Sequence, residues 1–331
     1  MDTYARSFSF RDVVLVADMT DQSASADLIH QRRDLEMTDA ETLGSLQSAI
    51  SALGLKMHHY RGPDALARCA SRHKDDIVLT IYGGQRSRNR MALVPAVCEA
   101  FGLRFVGPDV YGRIIAQDKE ISKRLASDCG LRTPAWRVVR DARYLSYASG
   151  ISLPVVVKPL FEGSSIGITQ RNLISKFEDV ATFGQNLLSE YGQPILIEEF
   201  VAGREVAYSR IQNVADEAWA FSEIIIEGDR TFFERRLFDA QEKQFRTSGR
   251  TVRNIDDEIS DNDRNSIESF LNAFGTYGYC RVDGRMADGK FSFIELSPDA
   301  WIGPRGQFAM SFLEKGWTYP AVIAAVLASA D

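Results

Sequence analysis

Two short, largely apolar runs, 12–18 (DVVLVAD) and 77–82 (IVLTIY), constrain the fold most. Neither alternates polar with apolar positions, so a strand made from either has both faces covered. Between them Thr38 and Glu41 read as a capping box that opens a helix ending at Gly54. Residues 91–101 read as a second helix and 104–106 as a further short strand. Strands and helices in alternation imply a parallel sheet with helices on both faces. The first third is therefore expected to be a Rossmann-like α/β head.

The pattern then changes. Residues 110–130 read as one long helix, stopped by Gly130 and Pro134. Strands are expected at 155–158, 195–200, 205–211 and 218–226, with one helix at 175–191 among them. Residues 231–253 are charged and poor in strand signals, and read as a mobile loop. Ser260 and Asp263 cap a helix over 260–274. Strands 279–286 and 290–296 follow, joined by Ala287-Asp288-Gly289. The last apolar run, 321–330, reads as a packed terminal helix, too short to span a membrane, which takes roughly 20 apolar residues. The second part is expected to be α+β.

Bulk properties exclude several function classes. The formal net charge of −6 gives no whole-chain support for a nucleic-acid partner. The N-terminus has no apolar leader, and no window reaches membrane-span length, so no membrane partner is expected. Cys69, Cys98, Cys129 and Cys280 lie far apart with no paired spacing, which fits reduced thiols in a cytoplasmic protein.

Three stretches carry chemistry. The first is Lys158-Pro159-Leu160-Phe161-Glu162-Gly163-Ser164-Ser165-Ile166-Gly167. A lysine at the end of an apolar strand, followed by small residues whose amides can approach closely, fits a polyphosphate. A strand end with Lys158 reaching water fits the same residues. The second is Glu198-Glu199-Phe200-Val201-Ala202-Gly203-Arg204-Glu205. Its carboxylates could accept from an adenine amino group and ribose hydroxyls, or form a solvated strand end, Glu199 facing away from Glu198. The third pairs Arg281 and Asp283 with Glu295 and Ser297 across a hairpin. Two carboxylates with further oxygens suit Mg²⁺, and a cross-strand ion pair is the competing reading.

Together, and in this order, the three stretches resemble the ATP-grasp superfamily, and within it the D-alanine–D-alanine ligases. The resemblance covers roughly residues 109–331, includes Asp118-Lys119, and is weaker over the head. It implies an ATP-grasp fold behind a pre-ATP-grasp head, with divisions at 1–112, 113–200 and 201–331. It implies ATP and Mg²⁺ as cofactors, and that Lys119 and Lys158 contact the phosphates. Glu162, Gly163, Ser164 and Ser165 would form the lid, the two serines acting in catalysis with Arg281. Glu198, the backbone of Glu199, Phe200 and Val201, Ile294 and Glu205 would hold the nucleoside. Asp283, Glu295 and Ser297 would ligate the metal, and Arg236 would meet a phosphate. A homodimer through the head is expected by the same resemblance.

The chain departs from that family where substrate is held. Ser297 replaces an asparagine, leaving Asp299 as an alternative ligand. Ser-Pro-Asp-Ala-Trp-Ile-Gly-Pro-Arg-Gly replaces the Asn-x-x-Pro-Gly-Met stretch, and Arg236-Leu237 replaces Lys-Tyr. The acidic residue that follows the family's first strand is missing. Tyr82, Arg86 and Arg88, with Arg90, occupy a loop that the family aims at substrate, where three arginines suit an acidic substrate or form a plain solvated loop, and Trp301 reads as a stacking wall or as simple packing. The expectation is a carboxylate–amine ligase acting through an acyl phosphate on small molecules other than two D-alanines. The alternatives are a phosphotransferase and a non-catalytic ATP-binding module.

Overall fold

The computed structural model describes residues 8–20, 33–84, 87–147, 150–214, 217–239, 242, 249–298 and 300–330. Three sheets stand in chain order. The head holds β1 (Val13–Val16), α1 (Ala40–Ala52), β2 (Met57–Tyr60), α2 (Gly62–Cys69), β3 (Ile77–Thr80), α3 (Leu93–Phe101) and β4 (Arg104–Phe105). Its sheet is parallel throughout, in the order β2-β1-β3-β4. β1 and β3 are fully buried, as their largely apolar runs require.

Two head features differ from expectation. The cap of α1 is Asp39, whose carboxylate accepts from the Thr42 amide at 2.7 Å. Thr38 is committed elsewhere, its amide donating to Asp18 O at 2.8 Å. β2 and α2 went unread because MHHY shows neither alternation nor an apolar run. Behind β2, His73 is buried between the Tyr60 hydroxyl at 2.8 Å and Asp76 Oδ2 at 2.7 Å. Arg11 closes the network on Asp76 at 3.1 and 3.2 Å.

α4 (Val110–Gln117) and α5 (Lys119–Asp128) replace the single long helix. Asp118 breaks the run at ψ 99° and its carboxylate caps α5, accepting from the Glu120 and Ile121 amides. The antiparallel central sheet, in the order β5-β8-β6-β7, follows. It comprises β5 (Trp136–Val139), β6 (Val155–Pro159), β7 (Leu173–Ile174) and β8 (Ile195–Glu199), backed by α6 (Phe177–Tyr191).

The third sheet is antiparallel, in the order β11-β10-β9-β12-β13. Its strands are β9 (Arg204–Ile211), β10 (Trp219–Ile226), β11 (Arg250–Asn254), β12 (Tyr279–Ala287) and β13 (Lys290–Ser297). The stretch read as a mobile, strand-poor loop contains α7 (Phe232–Arg235) and donates β11 to the sheet edge. α8 (Asp261–Phe274) is capped by Ser260 as its sequence indicates. α9 (Gln307–Glu314) and α10 (Tyr319–Ala328) close the chain. Phe308, Phe312, Val322 and Val326 from these two helices share one core with Val13, Leu15, Leu46 and Leu79 of the head. All four cysteines are free, and among the described residues no helix is long and apolar enough to cross a membrane.

Candidate active site

The three sheets meet at a cavity of about 350 Å³. The head contributes Glu36, Tyr82 and Met91 to its wall, α4 and α5 contribute Gln117 and Lys119, and the loop after β6 contributes Phe161 to Ser164. Arg281, Asp283, Ile294, Glu295, Ser297 and Trp301 come from the β12–β13 hairpin and the loop beyond it. A narrower cleft adjoins, sharing Glu162, Glu205, Phe238, Ile294 and Glu295 with the cavity. It adds Val156, Lys158, Glu198, Phe200 and Val201.

Register explains the hairpin. Arg281 lies opposite Ser297, and Asp283 opposite Glu295, so all four reach one face. A bulge falls between Asp283 and Gly284. Gly284 is required there, since a Cβ would come 2.3 Å from Phe291 Cε2. Arg281 forks Asp283 through Nε at 2.5 Å and Nη2 at 3.0 Å, while Ser297 Oγ donates to Asp283 Oδ2 at 2.9 Å. Burial alone pulls the Arg281 pKa down, but Asp283, then Glu295 and Glu205, carry it above the ordinary value. Asp283, Glu295 and Ser297 thus form a cluster of hard oxygen donors whose chemistry fits Mg²⁺.

A buried charge cluster lies at the cleft. Glu198 Oε1 is 2.5 Å from Lys158 Nζ and its Oε2 is 2.8 Å from Lys123 Nζ. Burial pushes Glu198 up, and the two lysines outweigh it and hold the carboxylate below its usual range. Burial and the charge of Lys158 pull Lys123 down despite Glu198. Lys158 ends above its ordinary value because Glu198, Glu295 and Glu205 outweigh its burial. Lys123 and Lys158 thus share one buried carboxylate beside a cleft that Glu162, Glu205 and Glu295 also line. Lys119 completes the group, donating to Glu162 O and lying 3.4 Å from Glu295. Lys123 went unread, although four residues after Lys119 places it on the same helix face.

The loop after β6 is conformationally costly. Ser164 (φ 51°) and Ser165 (φ 60°) are left-handed in succession, at about 1–3 kcal/mol each. Ser165 Oγ donates to Phe238 O at 2.8 Å, and Gln170 Nε2 donates to Leu237 O at 2.8 Å. The segment after α7 is therefore clamped onto the phosphate-side loop.

Glu205 is held by Arg285 at 2.8 Å, and Glu199 accepts from the Ser152 amide at 2.7 Å. Tyr82 is pushed up to about 12, first by burial and then by Asp18 and Asp64, so it presents a protonated phenol.

Several expected residues stand elsewhere. Arg236 is exposed, packs 4.7 Å from the Phe232 ring and pairs with Glu242 at 3.7 Å, leaving Leu237 and Phe238 to line the cleft. Arg88 is exposed and lines neither space. Arg86 and Asp299 lie outside the described residues. Arg90 is buried, bound to Glu36 and Glu162 at 3.2 Å and to Phe161 O at 3.0 Å. It is thus consumed internally, not presented to substrate. Glu36 supplies an acidic side chain from the head after all, and no local signal announced it.

Comparison with known proteins gives the family and the fold. A family model described as "D-ala D-ala ligase C-terminus" matches residues 125–328. The chain is 25% identical over 291 residues to the D-alanine–D-alanine ligase of Pseudomonas fluorescens (strain Pf0-1), covering 87% of this chain and 84% of that one. It shares the fold of the D-alanine–D-alanine ligase from Bacillus anthracis, with a TM-score of 0.72, 15% identity and 97% of each chain covered. The VanG D-Ala:D-Ser ligase from Enterococcus faecalis superposes with a TM-score of 0.70 and 15% identity, over 97% of this chain and all of that one.

Proposed function

This chain belongs to the D-Ala–D-Ala ligase family of ATP-grasp, ATP-dependent, amide-forming ligases, and we propose that it joins a small carboxylate to an amine other than two D-alanines. The observation that carries the proposal is an ATP-side charge set combined with altered substrate walls. Lys119, Lys158, Glu198, Arg281, Asp283 and Glu295 gather around the cleft and cavity, while Trp301, Arg305, Gly306 and Gln307 line the substrate side.

In this reading Val156, Phe200, Val201 and Ile294 enclose the base and Glu205 meets the ribose. Lys119, Lys158 and the Ser164–Ser165 turn hold the phosphates, with Lys123 keeping Glu198 ionised behind them. Asp283, Glu295 and Ser297 would hold magnesium, which would supply neutralisation of triphosphate charge. The substrate carboxylate attacks the γ-phosphoryl group, ADP leaves, and the acyl phosphate so formed is shielded by the loop clamp at Ser165 and Phe238. The amine then attacks the acyl carbon. Arg281 steadies the oxyanion, inorganic phosphate departs, and the amine proton is released to solvent. No side-chain nucleophile is needed.

The test is ADP release with Mg²⁺-ATP and pooled amino acids and acidic metabolites, with mass spectrometry on the active pools. An amide matched by ADP, and its loss in Lys158→Ala, is the expected result. A phosphorylated product without an amide would replace ligation with phosphoryl transfer.

A further inference from the structure

The loop after β13 holds one bulky residue with unusual care. Trp301 lines the cavity. A Cβ at Gly303 would come 2.5 Å from Trp301 Nε1, and one at Gly306 would come 2.4 Å from the Trp301 carbonyl oxygen and 2.8 Å from its Cδ1. Neither position accepts a side chain without displacing Trp301, because packed atoms do not approach so closely. Between them Ile302 is fully buried, and its carbonyl accepts from the Tyr319 hydroxyl at 3.0 Å. The indole is therefore seated in a notch of glycine backbone and anchored by its neighbour.

One part of the cavity lining is apolar, while Arg250, Arg305 and Gln307 line it as well. Leu35, Ile81 and Met91 come from the head, and Ile224 and Val252 come from a directly paired position of β10 and β11. A single methyl group would leave most of such a wall facing water, and a larger apolar side chain would cover it.

We propose that Trp301 is the specificity-determining residue of the cavity, selecting an amino acid whose side chain is aromatic or branched and apolar and packs on the indole. This rests on the ligase reading above and deepens it by naming a substrate class. A ring or branched chain on a rigid indole gains both burial and offset stacking. Losing it costs about 10-fold in affinity, the usual scale for apolar pockets.

Calorimetry on the full chain with ADP and Mg²⁺ present, titrated with the D and L forms of phenylalanine, leucine and alanine, reads the pocket without turnover. The wild-type chain is expected to bind phenylalanine or leucine at least about 10-fold more tightly than alanine. Trp301→Phe keeps that order and Trp301→Ala abolishes it, with ADP affinity unchanged in both as a check on folding. Tighter binding of alanine, no binding of any of the six, or an order that survives Trp301→Ala would overturn the proposal. ADP release measured on the same six separates the two claims. Trp301-dependent binding without any turnover of Mg²⁺-ATP keeps the pocket and removes the ligase reading.

Discussion

Arg90 and Glu162 form an ion pair at 3.2 Å in which each side chain is only 2% exposed. The same guanidinium nitrogen lies 3.2 Å from Glu36. One buried cation thus ties the head to the base of the phosphate-side loop, and Gln193 Nε2 supports Glu162 from the other side at 2.6 Å. Removing one partner of such a group strands the others without solvent. Arg90→Ala should lower unfolding stability by about 3–5 kcal/mol in urea titration. Glu36→Gln, which keeps the shape and a hydrogen-bonding oxygen, should lose less.

The Glu198 cluster predicts a pH dependence. Its carboxylate titrates lower when folded than when unfolded, because Lys123 and Lys158 outweigh burial. The stability it contributes is therefore fully present above the unfolded value of about 4.3. It is lost as the pH falls through the lower folded value. Urea unfolding below about pH 4.3 should show a shallower loss in Glu198→Gln than in the wild-type chain. Parallel curves would remove Glu198 from the account.

The clamp between the two loops should govern coupling. Ser165 Oγ reaches Phe238 O at 2.8 Å, a contact worth about 1 kcal/mol net. Ser165→Ala should raise ADP released without amide about fivefold relative to product, as water gains access to the acyl phosphate. Product and ADP measured in one reaction give the ratio.

Metal dependence follows from the hairpin. Asp283→Asn removes the carboxylate that Arg281 and Ser297 both address. Turnover should fall at least about 100-fold, with part of the loss recovered at high Mg²⁺. EDTA should abolish wild-type turnover without unfolding the chain.

What the sequence revealed was what lies close along the chain. The apolar runs in β1 and β3 gave the parallel head, Lys158 and Glu198 sit near strand ends, and Asp283 and Glu295 face each other across one hairpin, all within reach of local pattern. Partners distant in sequence stayed hidden. Arg90 meets Glu162 across a separation of 72 residues, and nothing near either residue signals the other. Arg90 therefore read as one of three arginines in a loop either aimed at substrate or plainly solvated, not as a buried ion-pair partner. The position of Arg236 was hidden for another reason: its place in the closing loop was legible, but its contacts with the Phe232 ring and Glu242 were not. The break at Asp118 was hidden by the helix-forming residues on both sides, because capping strength and helix propensity compete within a fraction of a kcal/mol to about 2 kcal/mol.

The central claim is that a substrate carboxylate takes the γ-phosphoryl group before the amine attacks. Supplying the carboxylate substrate with both oxygens labelled as ¹⁸O tests it directly. The account predicts one ¹⁸O atom in each phosphate released, in step with amide and ADP. Unlabelled phosphate, or release of AMP in place of ADP, would contradict it.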